Sequence, residues 1–155
     1  MNDLKLINKI RLIIIEVLKE TKNIGQLSNK TPSRIKARGD NDIVCKLKTI
    51  TKQGRYLYQT KTTSNGNVHK QWIQPLAKEG SKMVTTNNPT PKNNVIVWCD
   101  CNHFKYNLEV ALYKDDASRL IRSNGADPVI MNPKEKKFLC KHLYAAQKDY
   151  LGRLK

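Results

Sequence analysis

The sequence predicts an α+β domain: a small antiparallel sheet of about four strands with an N-terminal helix, a short middle helix and a C-terminal helix, stapled by a zinc site. Three observations predict it. Two turn signals, KQGR at 52–55 and SNGN at 64–67, separate three strand-like stretches. Apolar residues recur at helical spacing in the first and last segments of the 155-residue chain. Three of the four cysteines, and one of the three histidines, fall into two tight pairs, WCDCNHF at 98–104 and LCKHL at 139–143. Residues 1–41 read as an N-terminal helix and basic arm, and residues 42–155 as the zinc-stapled domain, with its ligands inside 99–142.

Taken in order, residues 4–22 carry Leu4, Ile7, Ile10, Ile14, Val17 and Leu18 three or four apart, with Asn2 or Asp3 as cap and Gly25 just beyond the end. The stripe predicts a core-facing helix, with a partner-binding arm as the alternative. Residues 23–41 mix Gly, Pro, Ser and basic residues without a period, which predicts a loop or an extended basic arm. Its cations Lys30, Arg34, Lys36 and Arg38 are candidate contacts to nucleic acid or a protein partner. Strands follow over 43–51, 56–63 and 68–75, because Asn-Gly readily takes the positive φ angles of a hairpin. Alternation puts Tyr56 and Tyr58 on one face as core residues rather than base-stacking platforms, and makes Cys45 a small buried residue. Polar residues 77–94 predict a surface loop, and the apolar run at 94–101 a fourth strand entering the first cysteine pair. Phe104, Leu108, Ala111 and Leu112 define a short helix over 104–114, and residues 122–133 a loop. Leu139, Leu143, Ala146 and Tyr150 line one face of the last helix.

Charge points to partners. Lys and Arg outnumber Asp and Glu by 29 to 13, a net charge of +16 and more than solubility requires. An acidic neighbour is implied, either nucleic acid or an acidic protein surface. The apolar run at 12–15 is bracketed by Arg11 and Glu16, too short to span a bilayer and without a cleavage site. Synthesis in a cytosol and no membrane contact are expected, so clustered Cys and His read as metal ligands before disulfides. No serine or cysteine has an evident base, Asp115 and Asp116 diverge, His69 stands alone and no Gly-rich phosphate loop occurs. Neither an enzyme nor a small-molecule substrate is expected.

The two pairs are best read as one site. Cys99 and Cys101, two apart at a strand end, point the same way, and a disulfide across so small a ring would be strained. Cys140 and His142 are also two apart, but inside a regular helix such residues lie roughly 200° apart. They must therefore straddle a helix start, where free N–H groups favour a thiolate. Three thiolates and an imidazole make the closed tetrahedral set of structural Zn2+, with Zn–S near ~2.3 Å and no position left for water. His103, two residues past Cys101, competes with His142 for the fourth position.

CxC followed at a distance by CxH resembles the SWIM-type zinc finger, with Cys99, Cys101, Cys140 and His142 as the matching ligands. The halves stand 38 residues apart, a longer spacer than the common form. The wider pattern WCDCNHFKYNLEVAL, ASRLIRSNGADPVIMNP and LCKHLYAA is similar to a group of small proteins from tailed bacteriophages, over residues 94–146. There Ser123, Asn124, Gly125, Asn132 and Pro133 match as loop landmarks. The resemblance implies a virion component made in the bacterial cytoplasm. It would dock on other virion proteins in a symmetric assembly, with DNA as a further candidate partner. A zinc-containing nucleic-acid-binding accessory or regulatory protein is the alternative.

Overall fold

The computed structural model of the chain describes residue 3, residues 22–121, 123, 125, 132 and residues 134–154. The helix expected over 4–22 lies outside these residues except at Lys22, which is not helical and whose carbonyl accepts the Val95 N–H at 3.0 Å. Residues 23–41, expected as loop or extended arm, are corrected to two short helices, α1 (Ile24–Lys30) and α2 (Ser33–Asp42). The physical reason is a capping box. Asn23 Oδ1 accepts the Gln26 N–H at 2.9 Å, and the Asn23 N–H donates to Gln26 Oε1 at 3.0 Å, so two orphan donors are satisfied at once. Pro32 then starts α2, where its fixed φ of −58° and missing N–H cost nothing. Only Ile24, Leu27, Ile35 and Gly39 are buried on these helices, too sparse a set to show as a period. Ile24, Leu27 and Ile35 belong to the main core, so this segment is built into the fold.

The sheet is antiparallel throughout and has five strands: β1 (Ile43–Ile50), β2 (Tyr56–Thr62), β3 (Val68–Glu79), β4 (Lys82–Thr85) and β5 (Val95–Cys99). They run in the order β1-β2-β3-β4, with β5 also paired to β3. The turns at 52–55 and 64–67 fall where expected. Gly54 has φ +86°, and a Cβ there would come within 2.1 Å of Thr86 O, so no larger residue fits. The surface loop expected over 77–94 is corrected in part. β3 continues past Pro75, turns at Gly80 (φ +64°) and pairs with β4 from Glu79↔Lys82 to Leu76↔Thr85. Almost every β4 residue is exposed, so no alternation marks it in the sequence.

The two faces of the sheet differ. One carries Tyr56, Tyr58, Ile73, Val95 and Val97 into the main core, as alternation predicts for the tyrosines. The other carries a smaller cluster of Trp72, Leu76 and Ile96, with the Arg55 guanidinium 4.0 Å above the Trp72 ring. The middle helix opens as a π-helical turn at Phe104–Leu108 and continues as α3 (Glu109–Lys114), burying Phe104, Leu108, Ala111 and Leu112. The last helix, α4 (Lys141–Arg153), lies on the larger face and buries Leu143, Ala146 and Tyr150. Burying a side chain as large as Leu143 contributes about 1.5–3 kcal/mol. Tyr150 meets Tyr56 edge-on at 4.9 Å, and Tyr58 Oη donates to Asp149 Oδ2 at 2.9 Å. Among the described residues no helix is long and apolar enough to cross a membrane.

Candidate metal centre

β5 ends at Cys99, and the chain then turns through Asp100 into the middle helix. Asp100 fixes that turn: its N–H donates to Lys70 O at 3.1 Å, and its Oδ1 accepts from Lys70 N at 3.2 Å and from His69 Nδ1 at 2.8 Å. Cys101 therefore returns to the side on which Cys99 points. The second pair comes from the start of α4. Cys140 is its N-cap, with φ −72° and ψ 168°, and His142 stands one residue inside the helix. The non-helical cap residue is what lets two residues at this spacing converge.

The ligand atoms of Cys99, Cys101, Cys140 and His142 all lie within 4.8 Å of one another. All four residues are buried, none more than 4% exposed. Each sulfur accepts an N–H: Cys99 from Gln71 Nε2 at 3.6 Å, Cys101 from the Phe104 amide at 3.3 Å, Cys140 from the Leu143 amide at 3.5 Å. Such donors stabilise thiolate rather than thiol. Neither ring nitrogen of buried His142 has a hydrogen-bond partner, a costly arrangement unless a ligand takes one. Burial pushes the Cys99 and Cys140 thiols well up, while hydrogen bonds from Cys140 and Cys99 hold Cys101 far below the ordinary thiol range. Burial disfavours three unbalanced thiolates so close together, and a cation among them would balance their charge. A buried Cys3His set that could hold a metal ion is the result.

Of the two candidate histidines, His142 joins the cluster. His103 packs its ring 6.0 Å from Phe138, and burial lowers its pKa. Cys45 is half-buried, outside the cluster, its thiol pushed up to about 12 by burial. The spacer is tied down by two residues whose roles the sequence did not reveal. Buried Glu109 accepts from Trp98 Nε1 at 3.0 Å and from the amides of Ile121 and Ser123 at 2.8 and 2.9 Å. Asn132 Nδ2 donates to Asn107 O at 2.7 Å and Lys136 O at 3.0 Å.

The helices of the first segment buttress the second half-site. Thr31 Oγ1 accepts the Leu139 N–H at 3.0 Å and donates to Leu27 O at 2.9 Å. At Gly39, α2 comes so close to α4 that a Cβ would stand 2.9 Å from Lys141 O and 2.7 Å from Tyr144 Cδ1. Beside the cluster opens a cleft of about 690 Å³ whose wall includes Arg34, Arg38, His69, His103 and Lys141, together with Cys101, Cys140 and His142. Of the basic residues singled out in the sequence, Arg34 and Arg38 on α2 line this cleft, whereas Lys36 on α2 and Lys30 at the end of α1 lie outside it. Gln71, the residue opposite Cys99 in the β3–β5 register, and the cleft lysine Lys141 were not anticipated. Register alone could have pointed to Gln71. No protein-family model, curated protein or solved structure matches the chain.

Proposed function

We propose that this chain is a structural, interaction-type protein of a tailed-bacteriophage particle, built around structural Zn2+ on Cys99, Cys101, Cys140 and His142 and docking on other virion proteins. The observation that carries the metal reading is the buried Cys3His cluster with an orphaned imidazole at its centre. Three thiolates and one imidazole suit zinc and complete its tetrahedral shell, leaving no position for a reacting water. The ion would fasten the end of β5 and the turn after it to the start of α4, and in zinc-finger peptides such a bond set contributes about 10–16 kcal/mol, as much as a small domain's whole stability. The virion reading is supported by the CxC, SNG, NP and CKHL landmarks described above and by the net charge of +16. Native mass spectrometry should find one zinc per chain, and mass spectrometry of purified particles should find the chain at a fixed copy number. Its absence from the particles defeats the virion reading; a metal-free folded chain defeats the zinc reading.

A second reading, a zinc-containing nucleic-acid-binding protein, is favoured by one feature. The cleft beside the candidate metal centre is lined by cations and, among the described residues, by no carboxylate.

A further inference from the structure

The cleft does not end at the metal centre. Through Arg34, His103 and Asn107 it runs into a second hollow of about 310 Å³ bordered by Lys134, Lys136, Asn132 and Phe138. Among the described residues no Asp or Glu lines either part. Among the described residues Arg34, Arg38, Lys134, Lys136 and Lys141 form no ion pair within 4.0 Å, although Lys22, Lys114, Lys137, Lys148 and Arg153 elsewhere all do. The fold has thus gathered five cations around one concavity, of which Lys141 also feels the Asp42 carboxylate. Arg34 and Arg38 are four apart on α2 and share one of its faces. A loaded Zn2+ with three thiolates and an imidazole carries a net charge of about −1. That charge at the floor repels an anion from the metal itself, and the five cations around the walls outweigh it. The anion is held at the rim.

We infer that this double hollow binds a single strand of nucleic acid, its phosphates on Arg34, Arg38, Lys141, Lys134 and Lys136. Two features favour a strand over a duplex. A concavity of this volume falls in the range that encloses small ligands, about 300–1,000 Å³, which admits splayed nucleotides and not a double helix. The junction also offers what bases need and phosphates do not: the half-buried ring of His103, backed by the core residue Phe138 at 6.0 Å, and the buried Oδ1 of Asn107, which has no hydrogen-bond partner. Flat rings stack on any base, and an orphaned acceptor can take a base N–H such as the N3–H of thymine. The inference deepens the nucleic-acid reading and does not depend on the virion assignment.

The test uses the full zinc-loaded chain and a fluorescent oligothymidylate of about 15 nucleotides, within the span of ordinary single-strand sites. Fluorescence anisotropy should show binding whose log–log salt slope is about −0.7 per phosphate contacted. The double variant R34Q/R38Q should bind about tenfold more weakly and, with two phosphate contacts gone, flatten that slope by about 1.4 units. The variant K46Q/K48Q removes the same charge from exposed positions on β1 and should leave both quantities within twofold of the parent. Equal losses in the two variants would reduce the effect to general attraction and overturn the site. So would a duplex of equal length binding as tightly as the strand, or no binding by the parent chain. Zinc content by native mass is read on every variant. If R34Q/R38Q loses the ion, K134Q/K136Q replaces it under the same criteria. A chain that keeps one zinc but ignores the strand sinks this inference and leaves the metal reading standing.

Discussion

The two halves of the metal centre have the same sequence spacing and reach it by opposite means. Cys99 closes a strand in the middle of hydrogen-bonded register, and the tight turn at Asp100 brings Cys101 round to join it. Cys140 and His142 straddle the first residue of a helix, where the cap is still extended and the next residues already turn. The donors differ as well. Cys101 and Cys140 accept backbone amides, which every sequence supplies, whereas Cys99 depends on the side chain of Gln71. The helix half is therefore specified by where α4 starts, and the strand half by which residue lies across the sheet.

The harshest way to break the comparison is to remove a ligand from each side. Cys99→Ser and Cys140→Ser should both abolish stoichiometric zinc in native mass spectra and eliminate the cooperative thermal transition, because about 10–16 kcal/mol exceeds or matches what a small domain has to lose. If either variant melts like the parent, that half is not a ligand pair. Alkylation sharpens the result: at pH 8 the metal-loaded chain should react slowly, and chelation should free Cys101 first, ahead of Cys99 and Cys140, whose thiols burial pushes up. Cys45 should lag, since a thiol with pKa about 12 is almost wholly protonated there.

A milder probe separates the halves. Gln71→Leu removes the donor to Cys99 and should weaken zinc about 10–100-fold in a chelator competition. Leu143→Met keeps the amide that serves Cys140 and should leave affinity unchanged; equal loss in both would erase the proposed asymmetry. The smallest expected effect is in the buttress. Gly39→Ala forces a methyl against Lys141 O and should cost about 1–3 kcal/mol in denaturant unfolding of the zinc-loaded chain. No loss would mean that α2 can recede from α4 freely.

Much of this arrangement was legible in the sequence, and what was not has identifiable causes. Asn-Gly and Gln-Gly marked the hairpins because few residues tolerate the φ of Gly54 and Gly66. The Cys and His pairs were visible because their spacing makes sense only at a strand end and a helix start, and that is where the backbone places them. α1 and α2 were missed although Asn23 and Gln26 formed a readable capping box. Gly25, Pro32 and Gly39 argue against helix locally, and the reason Gly39 is tolerated is a contact with a helix a hundred residues later. β4 was missed because an exposed strand leaves no alternating pattern. The cleft was invisible for a similar reason: Arg34, Arg38, Lys134, Lys136 and Lys141 come from three segments that only the tertiary fold brings together.

The distance between the half-sites also orders events during synthesis. The 38 residues after Cys101 must be made before Cys140 exists, so a nascent chain first offers only two thiols. Two donors hold a soft cation loosely and exchange it with the cell's buffered pool. Capture becomes durable only when the last helix docks on a sheet whose strands already stand in register. A bound ion would then close the fold late rather than seed it, and metal starvation would yield chains whose final helix stays loose and whose cooperative transition is lost.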